Sequence, residues 1–217
     1  MKDKSPAIPI IYEDNHIIVI EKPPGLLSQK DKTNEVDVTC LMKEYLKTKY
    51  NKPGNVYLGL VHRLDKPVGG LMVLTKTSKA ASRLSFDIRN HLFKKNYLAI
   101  VEGKLSNGGN ILLQVKKDKK AKLSYLDKDG KEAYLSYTPL KSNDLYTLVS
   151  VDLYTGRFHQ IRLSFSTIGH PIVNDQKYHS QSKKGPLYLW AHQLSFLHPI
   201  TKEMMTFTSM PSSWPLL

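Results

Sequence analysis

Short strand-like segments recur along most of this sequence, and this pattern limits the possible fold more than any other feature. Runs rich in Val, Ile, Leu and Tyr are separated by turn residues, which is typical of β-strands. We predict strands at 10–12, 16–21, 70–76, 96–102, 111–116, 122–126, 132–139 and 146–153. Asp129-Gly130 is predicted to form the tip of a hairpin between two of them.

Three segments have helical rather than extended periodicity. In 78–92, Ser78 is the predicted cap. The apolar residues of this segment fall on one helical face: Ala81, Leu84, Ile88 and Leu92. A second helix is predicted after Thr155-Gly156, and a weaker pattern covers 39–49. Many antiparallel-type strands with few helices predict an α+β fold with helices packed on a large mixed sheet. No linker or repeat interrupts the chain, so we expect one domain over 1–217.

The charge balance indicates a polyanionic partner. The 217 residues include 32 Lys and Arg against 19 Asp and Glu, a net charge of +13. Clustered basic side chains gain free energy when they displace counterions from a phosphate backbone. A soluble protein with a lysine-rich surface is the alternative. The hydrophobic content of 41% excludes a fully disordered chain.

Other classes of protein are excluded by what the sequence lacks. Cys40 is the single cysteine, so an internal disulfide framework and a zinc site with two thiolates are excluded. No apolar run approaches the roughly 20 residues of a membrane span. The start of the chain, 1–14, has no stretch suited to a signal peptide. We therefore expect a cytoplasmic protein with no membrane partner.

The segment 58–70 places a carboxylate beside cationic side chains and a glycine-containing turn. Asp65 follows His62 and Arg63, and the glycines at 69–70 leave room for a ligand to approach the backbone. We expect Asp65 at the end of a rigid strand, directed into a cleft. The alternative is a loop aspartate that forms a salt bridge with Arg63.

A second group of polar residues crowds the start of the helix predicted after Gly156. Arg157, His159 and Arg162 lie there, where free backbone N–H groups and fixed positive charge can bind a phosphate or a carboxylate. A capped helix with exposed basic residues is the alternative. Tyr97, on a predicted strand, faces either the core or a ligand.

Metal and nucleotide cofactors have no support in the sequence. Its histidines show no close-spaced ligand pair, so we expect no metal site. It contains neither a phosphate-binding loop nor a dinucleotide motif, so we expect no cofactor. It also has no G-x-S-x-G elbow for a serine nucleophile.

Taken in order, the motifs resemble the RluA family of pseudouridine synthases. The segments that carry the resemblance are HRLD at 62–65, YLAIVEG at 97–103 and GRFHQIR at 156–162, with further matches at 11–16, 21–26, 169–172, 191–192 and 196–199. Several separated motifs in one order are hard to obtain by chance. The pattern begins near Ile10, so we expect no extra N-terminal RNA-binding domain.

The resemblance implies a mixed, mostly antiparallel sheet with flanking helices and a central basic cleft. It also implies an enzyme that isomerises uridine to pseudouridine in RNA without cofactor or metal. Such enzymes break the glycosidic C–N bond, turn the uracil and rejoin it through carbon. By similarity, Asp65 is the catalytic carboxylate, Tyr97 the active-site tyrosine and Arg162 the basic partner of Asp65. A guanidinium there would favour the ionised carboxylate. The substrate implied is tRNA or rRNA, and we expect a monomer.

Basic residues around these motifs are the expected RNA contacts: His62, Arg63, Lys94, Lys95, Arg157 and His159. The lysine cluster at 116–122 is either a further phosphate contact or a solvated hairpin. Two positions depart from the family pattern. Val68-Gly69-Gly70 replaces the usual Thr-Ser-Gly, and Asn174-Asp175 replaces Gly-Asp.

Two other functions stay open at this point. One is a non-catalytic RNA-binding protein or RNA chaperone on the same scaffold. The other is a glycosidase acting on nucleosides, because a carboxylate also acts at the anomeric carbon in that reaction. Release of free uracil would identify the glycosidase.

Overall fold

The structure is a computed structural model that describes residues 8–182, 185–212 and 214. The chain divides into two compact units, unit 1 with Met1–Phe93 and Leu194–Ser209, and unit 2 with Lys94–Gln193 and Met210–Leu217. Residues 1–7, part of the segment 1–14 in which we expect no signal peptide, lie outside the described residues. The single domain expected over 1–217 stays a prediction.

Eleven strands and three helices occur in the described part of the chain. In order they are β1 (Ile10–Glu13), β2 (Ile17–Lys22), α1 (Val38–Lys49), β3 (Gly59–Leu60), β4 (Gly69–Thr75), α2 (Ser78–Arg89), β5 (Lys94–Glu102), β6 (Gly109–Asp118), β7 (Leu123–Leu126), β8 (Lys131–Ser142), β9 (Tyr146–Leu153), α3 (Gln160–Thr167), β10 (Leu189–Leu197) and β11 (Met204–Thr208). All eight predicted strands are present. The prediction of an α+β fold is confirmed.

Unit 1 is built on strands that are apolar along most of their length. β2 pairs antiparallel with β1 and with β4, and β3 also pairs antiparallel with β4. Every residue of β4 is buried, as expected for a strand covered on both faces. One core cluster joins these strands to α2 and to the end of β10: Ile17, Val19, Leu71, Val73, Ala80, Leu84, Phe93, Leu194 and Phe196.

The helices of unit 1 begin at side-chain caps. Asp37 accepts hydrogen bonds from the backbone N–H groups at 39–40 and caps α1. α2 is capped by Thr77, whose hydroxyl accepts from Ala80 N at 3.2 Å, and not by Ser78 as predicted. α2 also ends before Leu92, which is 51% exposed. The chain turns away from the helix at residue 91, where φ is +58°.

Five strands lie wholly within unit 2, in the order β5-β9-β8-β6-β7, and those neighbours pair antiparallel. α3 packs on this sheet through Phe165, whose ring meets Tyr137 edge to face. The hairpin predicted at Asp129-Gly130 is wrong, because the strands on either side of it, β7 and β8, each pair with β6 and lie on opposite sides of it. Gly130 is needed there for close approach, since a Cβ would lie 2.5 Å from Val115 N.

β3, β10 and β11 were not predicted. β10 carries the polar residues His192, Gln193 and Ser195 within a mostly apolar run, and the boundary between the two units falls inside it. In the residues that the structure describes, no helix has the length and apolar character that a membrane span requires.

β1 ends at Glu13, whose carboxylate accepts hydrogen bonds from four side chains. The Glu13 side chain is 7% exposed and accepts from the Nζ atoms of Lys49 and Lys76, both at 2.7 Å, and from the hydroxyls of Tyr45 and Tyr50 at 3.0 and 2.7 Å. Burial alone would raise the pKa of Glu13. These donors outweigh burial and lower the pKa to about 2.

The variant Glu13→Gln is expected to remove a pH-dependent part of the stability. A carboxyl group whose pKa is lowered by folding stabilises the protein above its unfolded pKa of 4.5 and loses that contribution as the pH falls toward 2. In calorimetry, the wild-type Tm should therefore fall more steeply than the variant's over this interval. The exposed Glu44, changed to Gln, should keep the wild-type slope. Equal slopes for all three proteins would contradict the role of Glu13.

Candidate active site

Asp65 lies in the segment 61–68 between β3 and β4, and hydrogen bonds fix this segment on both sides of it. Before it, Ser28 Oγ donates to Leu64 O at 2.7 Å and accepts from Leu64 N at 3.1 Å. After it, Val68 N donates to Asp65 O at 3.0 Å. The segment is irregular rather than the strand end that we expected. Local turns and side-chain bonds therefore hold the half-buried Asp65 in place.

The motif residue His62 is also tied to the sheet. Its Nε2 accepts a hydrogen bond from Val73 N at 3.0 Å, and its ring lies 5.6 Å from that of Phe93. A ring nitrogen that accepts from a backbone N–H carries no proton. His62 thus helps to position the segment that holds Asp65, and its contact with RNA stays a prediction.

A fully buried lysine lies beneath the same segment. Lys22 Nζ donates to three carbonyl oxygens, those of Pro23 at 3.0 Å, Leu26 at 2.7 Å and Lys66 at 3.2 Å. Burial lowers the pKa of Lys22 to about 7, and the negative charge of Asp65 opposes that shift. Lys22 therefore both fixes the residue after Asp65 and places positive charge near the carboxylate. The sequence analysis missed it.

The variant Lys22→Met is expected to destabilise the protein, because the part-buried carbonyl groups of Pro23 and Leu26 lose the ammonium that donates to them, while Lys66 O still accepts from Gly25 N at 2.8 Å. Each buried group left unpaired costs about 1–3 kcal/mol, although removing a buried amine recovers part of that. Urea unfolding should show a lower midpoint than the wild type. The exposed Lys43, changed to Met in α1, is the control and should shift the midpoint little. An unchanged midpoint for Lys22→Met would contradict this account.

In unit 2, Tyr97 lies on β5 opposite Val151 of β9. Its side chain is 6% exposed. Because side chains alternate along a strand, Tyr97 lies on the same face of β5 as Lys95.

Arg162, on α3, forms a buried bidentate ion pair. Its Nε and Nη2 donate to the two carboxylate oxygens of Asp175, both at 2.7 Å. Arg162 is 5% exposed and Asp175 is 1% exposed. The guanidinium also lies 5.2 Å from the ring centre of Tyr178. Asp175 is thus a partner of Arg162 that sequence reasoning missed, and the pairing of Arg162 with Asp65 stays a prediction.

His159 immediately precedes α3 in a left-handed conformation, with φ at +51°. Its Nδ1 lies 3.0 Å from the Tyr178 hydroxyl, which also accepts from Ser124 N at 2.7 Å. Burial, followed by the positive charges of Arg162, Lys177 and Lys117, lowers the pKa of His159 to about 3. The ring is therefore neutral near pH 7, and its predicted RNA contact would be that of an uncharged group.

The other predicted RNA contacts differ in their exposure. Arg63, Lys94 and Arg157 are exposed, whereas Lys95 is half-buried. Arg157 Nε donates to Glu132 O at 2.7 Å. These contacts stay predictions.

Both departures from the family pattern fit their surroundings. Asn174 has φ at +65°, a conformation that favours glycine and that asparagine tolerates better than most residues. Its Nδ2 also donates to Pro186 O at 2.8 Å. Val68 is 3% exposed, so the apolar residue in place of threonine lies in the core.

Comparison with known proteins gives one consistent result. The family model described as RNA pseudouridylate synthase matches residues 16–167. Ribosomal large subunit pseudouridine synthase D of Zymomonas mobilis is 33% identical, over 96% of this chain and 71% of its own length. tRNA pseudouridine synthase C of Haemophilus influenzae is 29% identical, over 96% of this chain and 95% of its own.

The fold also has a counterpart among solved structures. Human RNA pseudouridylate synthase domain containing 4 superposes with a TM-score of 0.78 at 23% identity, covering 94% of this chain and 89% of that one. This chain covers 65% of the length of an RNA pseudouridine synthase homologue of Mycoplasma pneumoniae, against 95% for the Haemophilus protein.

Proposed function

This chain belongs to the RNA pseudouridylate synthase family, and we propose that it isomerises uridines of tRNA or rRNA with Asp65 as the catalytic carboxylate. The family predicted from the ordered motifs is confirmed, and so is an enzyme of the isomerase class acting on RNA. The non-catalytic alternative is not favoured. The observation that carries the role of Asp65 is the segment 61–68, which holds one carboxylate in place above the buried Lys22.

In the proposed reaction, Asp65 acts on the ribose as a carboxylate. The glycosidic bond between C1′ and N1 breaks, the uracil turns, and a bond forms between C1′ and C5. The proton on C5 leaves and N1 gains one, so substrate and product have the same composition. The positive charge of Lys22 favours the ionised form of Asp65. Tyr97 offers a flat ring on which the freed uracil can stack.

Arg162 supplies fixed positive charge in unit 2. Its bidentate pair with Asp175 locks the guanidinium in one orientation. We propose that it stabilises the Asp65 carboxylate, as the resemblance implies. The target uridine must leave its stack, which costs a few kcal/mol, and phosphate contacts by basic residues offset this cost.

The names of the relatives leave two classes of RNA as candidate substrates. One relative is named for the large ribosomal subunit and another for tRNA. The test is to label RNA with tritium at uridine C5 in cells that lack this gene, to separate tRNA from rRNA, and to incubate each with the protein. Tritium release from one fraction identifies the substrate. No release from either fraction would contradict the proposal, and free uracil would indicate a glycosidase.

A further inference from the structure

The amine of Lys95 lies against the turn that leads into α3. A Cβ atom added to Gly156 would lie 3.3 Å from Lys95 Nζ, so the amine rests over the backbone of this glycine. Lys95 and Tyr97 are two residues apart on β5 and share one face. Lys95 therefore brings a cation to the face of the strand that carries the proposed uracil-stacking residue.

Lys95 differs from other buried or half-buried cations in the described part of the chain, which have partners. Lys22 donates to three carbonyl groups, Lys76 pairs with Glu13, and Arg162 pairs with Asp175. Within residues 8–182, 185–212 and 214, Lys95 Nζ makes no hydrogen bond or ion pair. Burial lowers the pKa of Lys95 to about 8, and no charged neighbour contributes to the shift. A partly desolvated cation without a partner raises the free energy of the folded protein.

An anion bound at Lys95 would remove this cost. The substrate of the proposed function is an RNA, in which each nucleotide carries a phosphate. A phosphate at the amine would gain a charge-assisted hydrogen bond, while the base of the same nucleotide lies toward Tyr97. Gly156 leaves the space over the turn open, because a side chain there would press on the amine.

We propose that Lys95 binds the phosphate of the target nucleotide and thereby places its uracil against Tyr97. This inference rests on the proposed function and makes it more specific. The inference distinguishes Lys95 from the exposed Arg63, Lys94 and Arg157, whose RNA contacts are predicted from charge alone. It also gives a reason for an amine that has no hydrogen-bond or ion-pair partner among the described residues, since a bound phosphate would neutralise its charge.

The test compares Lys95→Met with Lys95→Arg and with a control lysine. Lys104 is exposed and lies just beyond the other end of β5, so Lys104→Met makes the same change in charge away from the site. Each protein is measured in two experiments. The first gives the Tm without RNA. The second gives kcat and KM for tritium release from C5-labelled RNA of cells lacking this gene, over a range of salt concentrations.

For Lys95→Met we expect opposite effects on stability and on activity. Loss of the unpaired amine should raise the Tm by about 2 °C or more. It should lower kcat/KM about tenfold or more, because KM rises while kcat stays close to that of the wild type. The plot of log kcat/KM against log salt should flatten by about 0.7, the value for one phosphate contact with a single strand. Lys95→Arg should restore the wild-type slope, and Lys104→Met should match the wild type in all three respects.

Other results would overturn the inference. A lower Tm for Lys95→Met, with an unchanged salt slope, would make Lys95 a structural residue. A loss confined to kcat, again with an unchanged slope, would place the amine in the chemistry and not at a phosphate. If the wild type itself releases no tritium, the proposed function fails and the role of Lys95 fails with it.

Discussion

The variant Asp65→Asn is expected to abolish tritium release while it leaves RNA affinity within a few-fold of the wild type. The amide is nearly the same size as the carboxylate, so the bonds of Ser28 and Val68 to the backbone of segment 61–68 can persist. It cannot act as a nucleophile or base toward the ribose. Losing such a group lowers kcat by about 10³-fold or more. Affinity should change little, because phosphate contacts supply most of the binding.

This comparison needs a control for the change in charge. Asp144 is exposed in unit 2, and Asp144→Asn removes one negative charge away from the site. It should retain wild-type activity. Tm and circular dichroism establish that Asp65→Asn is folded. Substantial tritium release by folded Asp65→Asn would show that another group is the catalytic carboxylate.

The variant Arg162→Ala is expected to lose both stability and activity. It leaves the carboxylate of Asp175 buried at 1% exposure without its bidentate partner. Breaking one side of a buried ion pair costs about 3–5 kcal/mol, which urea unfolding can measure. Tritium release should fall heavily as well, since the proposed partner of Asp65 is removed.

A double variant separates the structural effect from the catalytic one. Arg162→Met with Asp175→Leu removes both charges and replaces them with apolar side chains. Such replacements are often neutral or stabilising, so the unfolding midpoint should recover toward the wild type. Activity should not recover. If the double variant releases tritium at the wild-type rate, Arg162 has only a structural role.

The elements with a clear local pattern were predictable from sequence. β2 begins with the apolar run 17–20 and β4 contains the apolar run 71–74, and α3 ends at Thr167, two residues before Gly169, whose φ is +80°. β11 escaped prediction because it is short and has no buried residue. The turn at Gly130 was misassigned as a hairpin tip. Its glycine instead allows the backbone to approach Val115 of β6 closely, and no local sequence pattern shows this contact.

A candidate site could be proposed from sequence where one residue type carries the proposed chemistry, as at Asp65. Its supports were not, because they depend on contacts between distant segments. Lys22 reaches the carbonyl of Lys66, 44 residues away, and Ser28 reaches Leu64, 36 residues away. Asp175 meets Arg162 only when the chain after α3 turns back. A lysine next to two prolines, as Lys22 is, has no local pattern that shows it will be buried.

The most direct test of the central claim counts two products in one reaction. Wild-type protein is incubated with C5-tritiated RNA from cells lacking this gene, and the RNA is then digested to nucleosides. We predict that the tritium released equals the pseudouridine formed, mole for mole, with no free uracil. Only rejoining through C5 displaces that label. RNA that is bound but yields neither tritium nor pseudouridine, or that yields uracil instead, would contradict the account.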